Sequence, residues 1–440
     1  MTSNNRTYYA FLMMAVLLIA VGILQSWNVA FNILNLCVIS AIMALGVNMQ
    51  WGYAGLVNFG IMGFVAIGGL AGVVVSMPPV AEAWQAGGSR LMLGFGVMLA
   101  VIGVATVFWR RTQSWKNLPR RRYLIMAAIL ICGYALFRYI ADTAVVSIEA
   151  VDPASTGYLG GLGLPILLSW IVGAIAAGFV AMLIGKIALG LRSDYLAIAT
   201  LGISEIIIYV LKNEDWLARG VKNVNGLPRP VPYEIDLQKE AWVNHLADGM
   251  GFSVVNASSI IVKVAYLSLF LAVLVVLFLM AEKALKSPWG RMMRAIRDNE
   301  VAAEAMGKDV KRRHLQIFVI GSAVLGLAGA MLTTLDGQYT PQSYQPLRFT
   351  FLIWVMVIVG GSGNKYGAII GGFIIWFFWI EAEPIGLWLM DVLTSGMSED
   401  SALRAHLLNS AAHTRLMTMG LIMMLVLRFS PKGLIPEAKR

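Results

Sequence analysis

Cysteine and histidine are scarce in this 440-residue chain, with 2 and 4 copies. Cys37 and Cys132 both fall inside apolar runs, so no disulfide framework, zinc cluster or redox pair is expected, and each reads as a small buried hydrophobe. His245, His314, His406 and His413 lie in loops or at the ends of apolar runs, without metal-ligand spacing. H-E-x-x-H and G-x-S-x-G are absent and no carboxylate pair falls within a predicted span, which removes the usual signatures of a membrane-embedded enzyme. No G-x-x-x-x-G-K-[ST] loop occurs, so the chain is not expected to hydrolyse ATP itself, and no cofactor is implied. Charge is sparse as well: 13% of residues are Asp, Glu, Lys or Arg, against about 25% in an ordinary soluble domain.

What fills the chain instead is apolar, with 58% hydrophobic residues and a mean hydropathy of +0.73. Runs of about 18 or more apolar residues, enough to cross a ~30 Å hydrocarbon core as helix, begin near Tyr8 and recur to Leu427. Their continuity excludes a β-barrel, whose strands would alternate. Spans are predicted over 8–26, 29–50, 53–76, 91–109, 123–141, 160–188, 194–211, 257–281, 315–335, 349–361, 366–381 and 415–429. The fold class is therefore all-α and polytopic, with about 10–12 transmembrane helices in a single membrane domain over 1–440. The first run is followed by Gln25-Ser26-Trp27-Asn28 rather than a small-x-small cleavage site, so it reads as a span and not as a secretory leader. In the longest external loop, 212–256, a short surface helix is predicted near 239–247.

The net charge of +10 is a topology signal. Arg110, Arg111, Lys116, Arg120, Arg121 and Arg122 make an acid-free loop, Lys186 and Arg192 flank a second, 283–313 carries a third, and Lys432, Lys439 and Arg440 end the chain. Segments 141–156, 212–256 and 381–414 between them are neutral or acidic. That alternation follows the positive-inside rule, puts both termini in the cytoplasm, and leaves nothing for a nucleic-acid partner to explain.

Glycine interrupts the apolar pattern twice, at GYAGLVNFG (52–60) and at GGSGN (360–364), between two short runs. Each is a tight hairpin or a discontinuous element lining a pathway, since freed backbone at membrane depth needs cover from protein or water. Gly55, Asn58, Gly361 and Gly363 are the pathway candidates there. Glu205 joins them as the one carboxylate well inside a clear span, at a cost of roughly 2.5–3.5 kcal/mol. It is either a pathway or gate residue, or is satisfied by Ser204, Thr200 or a neighbouring helix. Lys263 is close enough to a membrane edge to snorkel. Small residues at Gly68 and Gly72, Gly367 and Gly371, and Ser322, Gly326 and Ala330 share helical faces and predict close helix packing.

The wettest stretch is SPWGRMMRAIRDNEVAAEAMGKDVKRRHLQIF, 287–318. Ser287 and Pro288 give a helix start; Trp289, Met292, Met293 and Ile296 form an apolar stripe with Arg291, Arg294 and Asp298 opposite. Asn299 restarts the chain, and a second piece from Glu300 is stopped by Gly307. Ala302 and Ala303 keep one face free of bulk, which suits a groove on a partner; an interfacial helix resting on membrane lipid is the other reading.

The same stretch resembles the cytoplasmic coupling loop of bacterial ABC-importer permeases, whose Glu-Ala-Ala-x-x-x-Gly signature is approximated by Glu300, Ala302, Ala303 and Gly307. Together with ALGVNMQWGYAGLVNFG, LRSDYLAIATLGISEII, VIVGGSGNKYGAIIGG and RFSPKGLIP it resembles the branched-chain amino acid permease family, in its larger-subunit type. The family-like core covers 28–76 and 158–436, with 282–314 as the coupling loop and 77–157 as an added helical hairpin with a basic cytoplasmic loop. The resemblance implies a bacterial inner-membrane permease that works with cytoplasmic ATP-binding subunits, a second homologous permease and a periplasmic solute-binding protein. It implies that Arg294, Asp298, Glu300, Ala302, Ala303 and Gly307 face the ATPases. Branched-chain or related small amino acids are the implied solutes; sister permeases carry urea or short-chain amides. An ion-coupled transporter using Glu205 is the rival from another class.

Overall fold

The computed structural model describes residues 3–112, 119–153, 157–398 and 401–437; Lys116, Lys439 and Arg440 of the basic segments lie outside them. Among the described residues ten helices are long and apolar enough to cross a membrane, and two shorter apolar ones accompany them. In chain order the helices used below are α1 (Ser3–Leu24), α2 (Trp27–Val47), α3 (Ile61–Ser76), α4 (Ser89–Arg111), α5 (Pro119–Glu149) and α6 (Ile166–Ala188). There follow α7 (Ser193–Asn213), α8 (Val254–Lys286), α9 (Pro288–Asp298), α10 (Glu300–Ala305), α11 (Val310–Asp336), α12 (Pro346–Gly360), α13 (Lys365–Thr394) and α14 (Thr414–Phe429). A two-residue antiparallel pairing joins Val224 to Tyr339 and Asn225 to Gln338. The short surface helix of the long loop is Ala241–Met250.

The predicted span at 160–188 begins late, at Ile166, because Gly160 and Gly163 hold φ at +76° and +67°, which ends any right-handed helix there. The span predicted over 53–76 is likewise helical only from Ile61. In the other direction α13 runs on to Thr394 through an internal Pro384.

α11 is the central helix, packed against α3, α6 and α2. The glycine faces are what let it approach: a Cβ on Gly68 would collide with the Gly326 backbone, and one on Gly326 with Ala177 and Gly173. With no hydrophobic force between helices in lipid, such close contact and the dispersion it gains are what hold the bundle. α12 and α13 form a hairpin closed in the same way, Gly371 against the Met356 carbonyl and Gly360 against Gly367. α4 and α5 pack on each other, with Phe95 and Phe137 rings 5.7 Å apart and a cluster including Leu91, Ala144 and Ile148. Much of α5 faces away from the rest of the chain, and so Cys132, expected to be buried, is exposed, whereas Cys37 is buried as expected. Lys263 does not reach for the surface: its Nζ donates to the Asn28 carbonyl (3.0 Å) and Oδ1 (3.3 Å), tying α8 to the start of α2.

Gly326→Leu, which needs space the α6 backbone occupies, is expected to cost on the order of 3 kcal/mol. Size-exclusion profiles of the detergent-extracted protein should lose their monodisperse peak; a wild-type profile and melting temperature would contradict this packing.

Candidate functional site

After Val47 the second helix loosens into a π-turn over Asn48–Gly52, and residues 55–60 are not helical. Gly55 sits at φ +71°, a conformation that side chains other than glycine's avoid. The freed backbone is covered by side chains from two other helices and by Asn58 itself. Thr200 Oγ1 on α7 accepts from the Phe59 N–H (3.0 Å), and Ser204 Oγ accepts from the Gly63 N–H (2.8 Å). Trp354 Nε1 on α12 donates to the Asn58 carbonyl (3.0 Å). Asn58 is 1% exposed; its Oδ1 accepts from the Gly60 N–H (2.8 Å) and its Nδ2 donates to Gln50 Oε1 (2.9 Å). Gln50 Nε2 in turn donates to the Phe318 carbonyl (2.9 Å) and Ser322 Oγ (3.1 Å) on α11. The break is a buried polar knot, because an unpaired amide here would cost roughly 1–3 kcal/mol.

The polar segment 287–307 lies under this knot. Ser287 Oγ accepts from the Gly290 N–H (3.4 Å) to start α9, and Asn299 Oδ1 accepts from the Ala302 N–H (3.0 Å) to start α10. Met293 and Ile296 are buried, with Trp289 and Met292 half-buried beside them. α10 closes with the Gly307 N–H on the Glu304 carbonyl (2.8 Å) and the Lys308 N–H on the Ala303 carbonyl (3.1 Å), Gly307 being left-handed at φ +75°.

Arg297 joins the two regions. Its Nη1 donates to the Gly52 carbonyl (2.5 Å) and to Glu437 Oε2 (3.0 Å), and its Nε donates to Asp298 Oδ1 (3.1 Å). Burial alone would lower the guanidinium's pKa, but the Glu437 and Asp298 carboxylates outweigh it and hold the group above its usual value. Gly55 packs on the Arg297 stem, and a Cβ on Gly363 would press on Arg297 and Glu437. The α12–α13 turn is held to the same place: Asn48 Oδ1 accepts from the Gly363 N–H (2.9 Å), and Asn48 Nδ2 donates to the Asn364 carbonyl (3.3 Å). The C-terminal tail completes the cluster through Ile435 N–H on the Gly360 carbonyl (2.9 Å) and Asn364 Nδ2 on the Pro436 carbonyl (3.1 Å). Gly361, at φ +116°, has no room for a side chain against Ile435.

Gly55, Gly361, Gly363 and Asp298 thus meet around Arg297, and Asn58 sits in the knot above. The 360–364 break is the turn of the α12–α13 hairpin, whereas the 52–60 break joins α2 and α3, which both pack on α11. Arg294 is half-buried, its Nη2 donating to the Leu285 carbonyl (3.4 Å); Glu300, Ala302 and Gly307 are exposed. Ala303, expected on a free face, is buried against its own chain, and the exposed apolar groups of α10 are Val301 and Met306. Glu205 stands apart from the cluster. Ser204 and Thr200 are occupied by the unwound backbone, and Glu205 points outward into a groove of about 1000 Å³ lined by Lys212, Arg348, Glu383, His413 and Arg415. Within it Arg415 pairs with Glu383, and Arg348 lies over Trp379 at 4.8 Å. Sequence reasoning missed Gln50, Arg297 and Glu437; only Gln50, an amide in an apolar run just before Gly52, left a visible signal.

A helical bundle with one hairpin turned on a glycine break, a buried polar knot at a second break and a short helical segment held beneath it is the architecture of a multi-pass membrane protein. Residues 29–427 match the family described as branched-chain amino acid transport system, permease component, and the chain belongs to that family as a permease subunit of an ABC-type transporter. It is 25% identical over 401 residues to the probable branched-chain amino acid transport permease protein LivM of Methanocaldococcus jannaschii, covering 90% of each chain. To the high-affinity branched-chain amino acid transport system permease protein LivM of Escherichia coli it is 30% identical over 206 residues, 46% of this chain and 47% of that one. The probable permease protein LivH of M. jannaschii is 32% identical over 110 residues, 24% of this chain and 34% of its own. No solved structure matches.

Asn58→Leu should strand the Gly60 N–H and Gln50 Oε1, lowering stability by about 2–4 kcal/mol; thermal unfolding in detergent reads this, and an unchanged midpoint would exclude the knot as a structural centre. Arg297→Ala should release the C-terminal tail, seen as faster deuterium uptake over residues 431–437, with no change expected in α6.

Proposed function

We propose that this chain is the membrane-spanning subunit of an ATP-driven importer for branched-chain or related small amino acids. Cytoplasmic ATP-binding subunits supply the energy, and a periplasmic binding protein delivers the solute. The observation that carries this reading is the bridge from Arg297 to Gly52 and Glu437. Through it α9 is tied to the α2–α3 break, the α12–α13 turn and the tail at once, so a force applied to α9 and α10 reaches both glycine breaks without passing through a flexible linker. Exposed Val301 and Met306 on α10 give the ATPase an apolar purchase, and Glu300 and Ala302 flank them. The basic segments around Arg297 favour the cytoplasmic side for this end and for both termini, within an inner membrane.

A second, homologous permease covers the groove around Glu205. Ionisable groups at membrane depth are costly against hydrocarbon, so Glu205, Arg348 and Arg415 argue for a protein neighbour there. The wide groove with nearby cations also argues against Glu205 as a coupling-ion cage. The relatives' names support amino acids as the solute over urea or short-chain amides.

The reading is tested by affinity purification from mild detergent. The wild-type chain should bring down an ATPase and a second permease, and the complex in proteoliposomes should take up labelled leucine only with ATP. Gly307→Arg, which puts a side chain on a left-handed residue at the proposed docking edge, should lose the ATPase and uptake while still inserting. Glu205→Gln should keep ATP-dependent uptake. Recovery of the wild-type chain alone, or leucine uptake that proceeds without ATP and is lost in Glu205→Gln, would refute the importer reading in favour of ion coupling.

A further inference from the structure

A cavity of about 290 Å³ lies at the opposite end of the molecule from α9, between α2, α3, α12, α13 and the end of α11. Its mouth is marked by the exposed Asp336, Gln338 and Ser343. Its walls are aliphatic: Leu36, Ile39, Met43, Leu352, Ile353 and Met356. α12 divides the cavity from the polar knot. Phe349, Leu352, Ile353 and Met356 line the cavity, while Thr350 and Trp354 turn the other way and bond to the Phe59 and Asn58 carbonyls.

Few polar groups face inward. Ser40 is 3% exposed, and its hydroxyl lines the cavity from α2. Trp376 Nε1–H is buried with no acceptor among the described residues. Asp336 is the one charged group in the lining, and no cation balances it there. A volume this small, near the lower limit of small-ligand pockets, admits one compact solute. Aliphatic walls would leave most polar hydrogens of urea unpaired, whereas a branched hydrocarbon side chain packs on them without loss.

We propose that this cavity is an outward-facing waypoint for a single aliphatic amino acid. The solute's side chain lies on Leu36, Ile39, Leu352 and Ile353, its ammonium pairs with Asp336 at the mouth, and the Trp376 N–H and Ser40 hydroxyl donate to its carboxylate. This rests on the importer reading above and adds the residues that meet the solute. With one charge-assisted pair and a small apolar contact, binding is weak, as a site that must release its solute inward requires. Because α12 bears on both the waypoint and the knot, a displacement begun at Arg297 alters the cavity wall.

Saturation-transfer NMR on the assembled permeases and ATPases, without the binding protein, tests this with leucine, its ammonium-free analogue 4-methylpentanoate, and urea as probes. Wild type should saturate the leucine methyls and not urea. Leu352→Trp, which fills the cavity, should abolish the leucine signal. Asp336→Asn, an isosteric change at an exposed position, should reduce the preference for leucine over 4-methylpentanoate roughly tenfold. A complex that takes up leucine in proteoliposomes yet keeps the wild-type signal in Leu352→Trp, or the wild-type preference in Asp336→Asn, would overturn the waypoint and leave the importer reading standing. A wild-type complex that takes up urea and not leucine would overturn both.

Discussion

An unwound backbone inside a helical bundle must find its hydrogen bonds in protein, and that constraint organises this molecule. Residues 55–60 leave the helix, and beyond local bonds they are satisfied from distant parts of the chain: Thr200 from α7, Thr350 and Trp354 from α12, and Asn58 through Gln50 to Phe318 and Ser322 on α11, with Ser204 of α7 on the Gly63 N–H just past the break. Four helices are thereby fixed in rotation and height relative to one another. Ridge packing alone would not fix them, since small-residue faces slide where directional bonds do not.

The segment formed by α9 and α10 inherits its position from the same break. Gly52 offers a carbonyl that has lost its helical partner, and Arg297 takes it together with Glu437. A guanidinium suits this junction because its several donors can serve a carbonyl and two carboxylates at fixed angles, which a lysine ammonium on a flexible stem would not do. The docked helix is therefore attached through backbone and charge rather than through apolar contact alone.

Much of this was legible before any coordinates. Continuous apolar runs gave the helices and their order, and the short runs on either side of Gly360–Asn364 marked a break, a hairpin or a discontinuous element, because residues 360 to 364 offer little to continue a helix. The pattern Ser287-Pro288, Asn299 and Gly307 gave α9 and α10 with their ends. Less was legible where the answer depends on which face of a helix meets a neighbour. Glu205 and Ser204 are adjacent in sequence, yet one faces a surface groove and the other the knot, a choice made by the rotation of α7 in the bundle. Arg297 looked like one more residue of a basic face, because Gly52 and Glu437, which give it a role, lie 245 and 140 positions away. Cys132 followed the same logic: its surroundings were apolar, but they belong to a helix with little protein outside it.

α12 is short, and both of its sides are in use, with Trp354 and Thr350 on the unwound carbonyls and Leu352, Ile353 and Met356 on the open cavity. Such an element couples two traits that evolution would otherwise adjust separately. A substitution that reshapes the aliphatic wall for a larger or smaller solute also shifts the helix that clamps the break, and so alters how tightly the far end responds. Divergence toward new solutes should then proceed by paired changes, one in α12 and a compensating one in α7 or α2, rather than by single replacements in the wall.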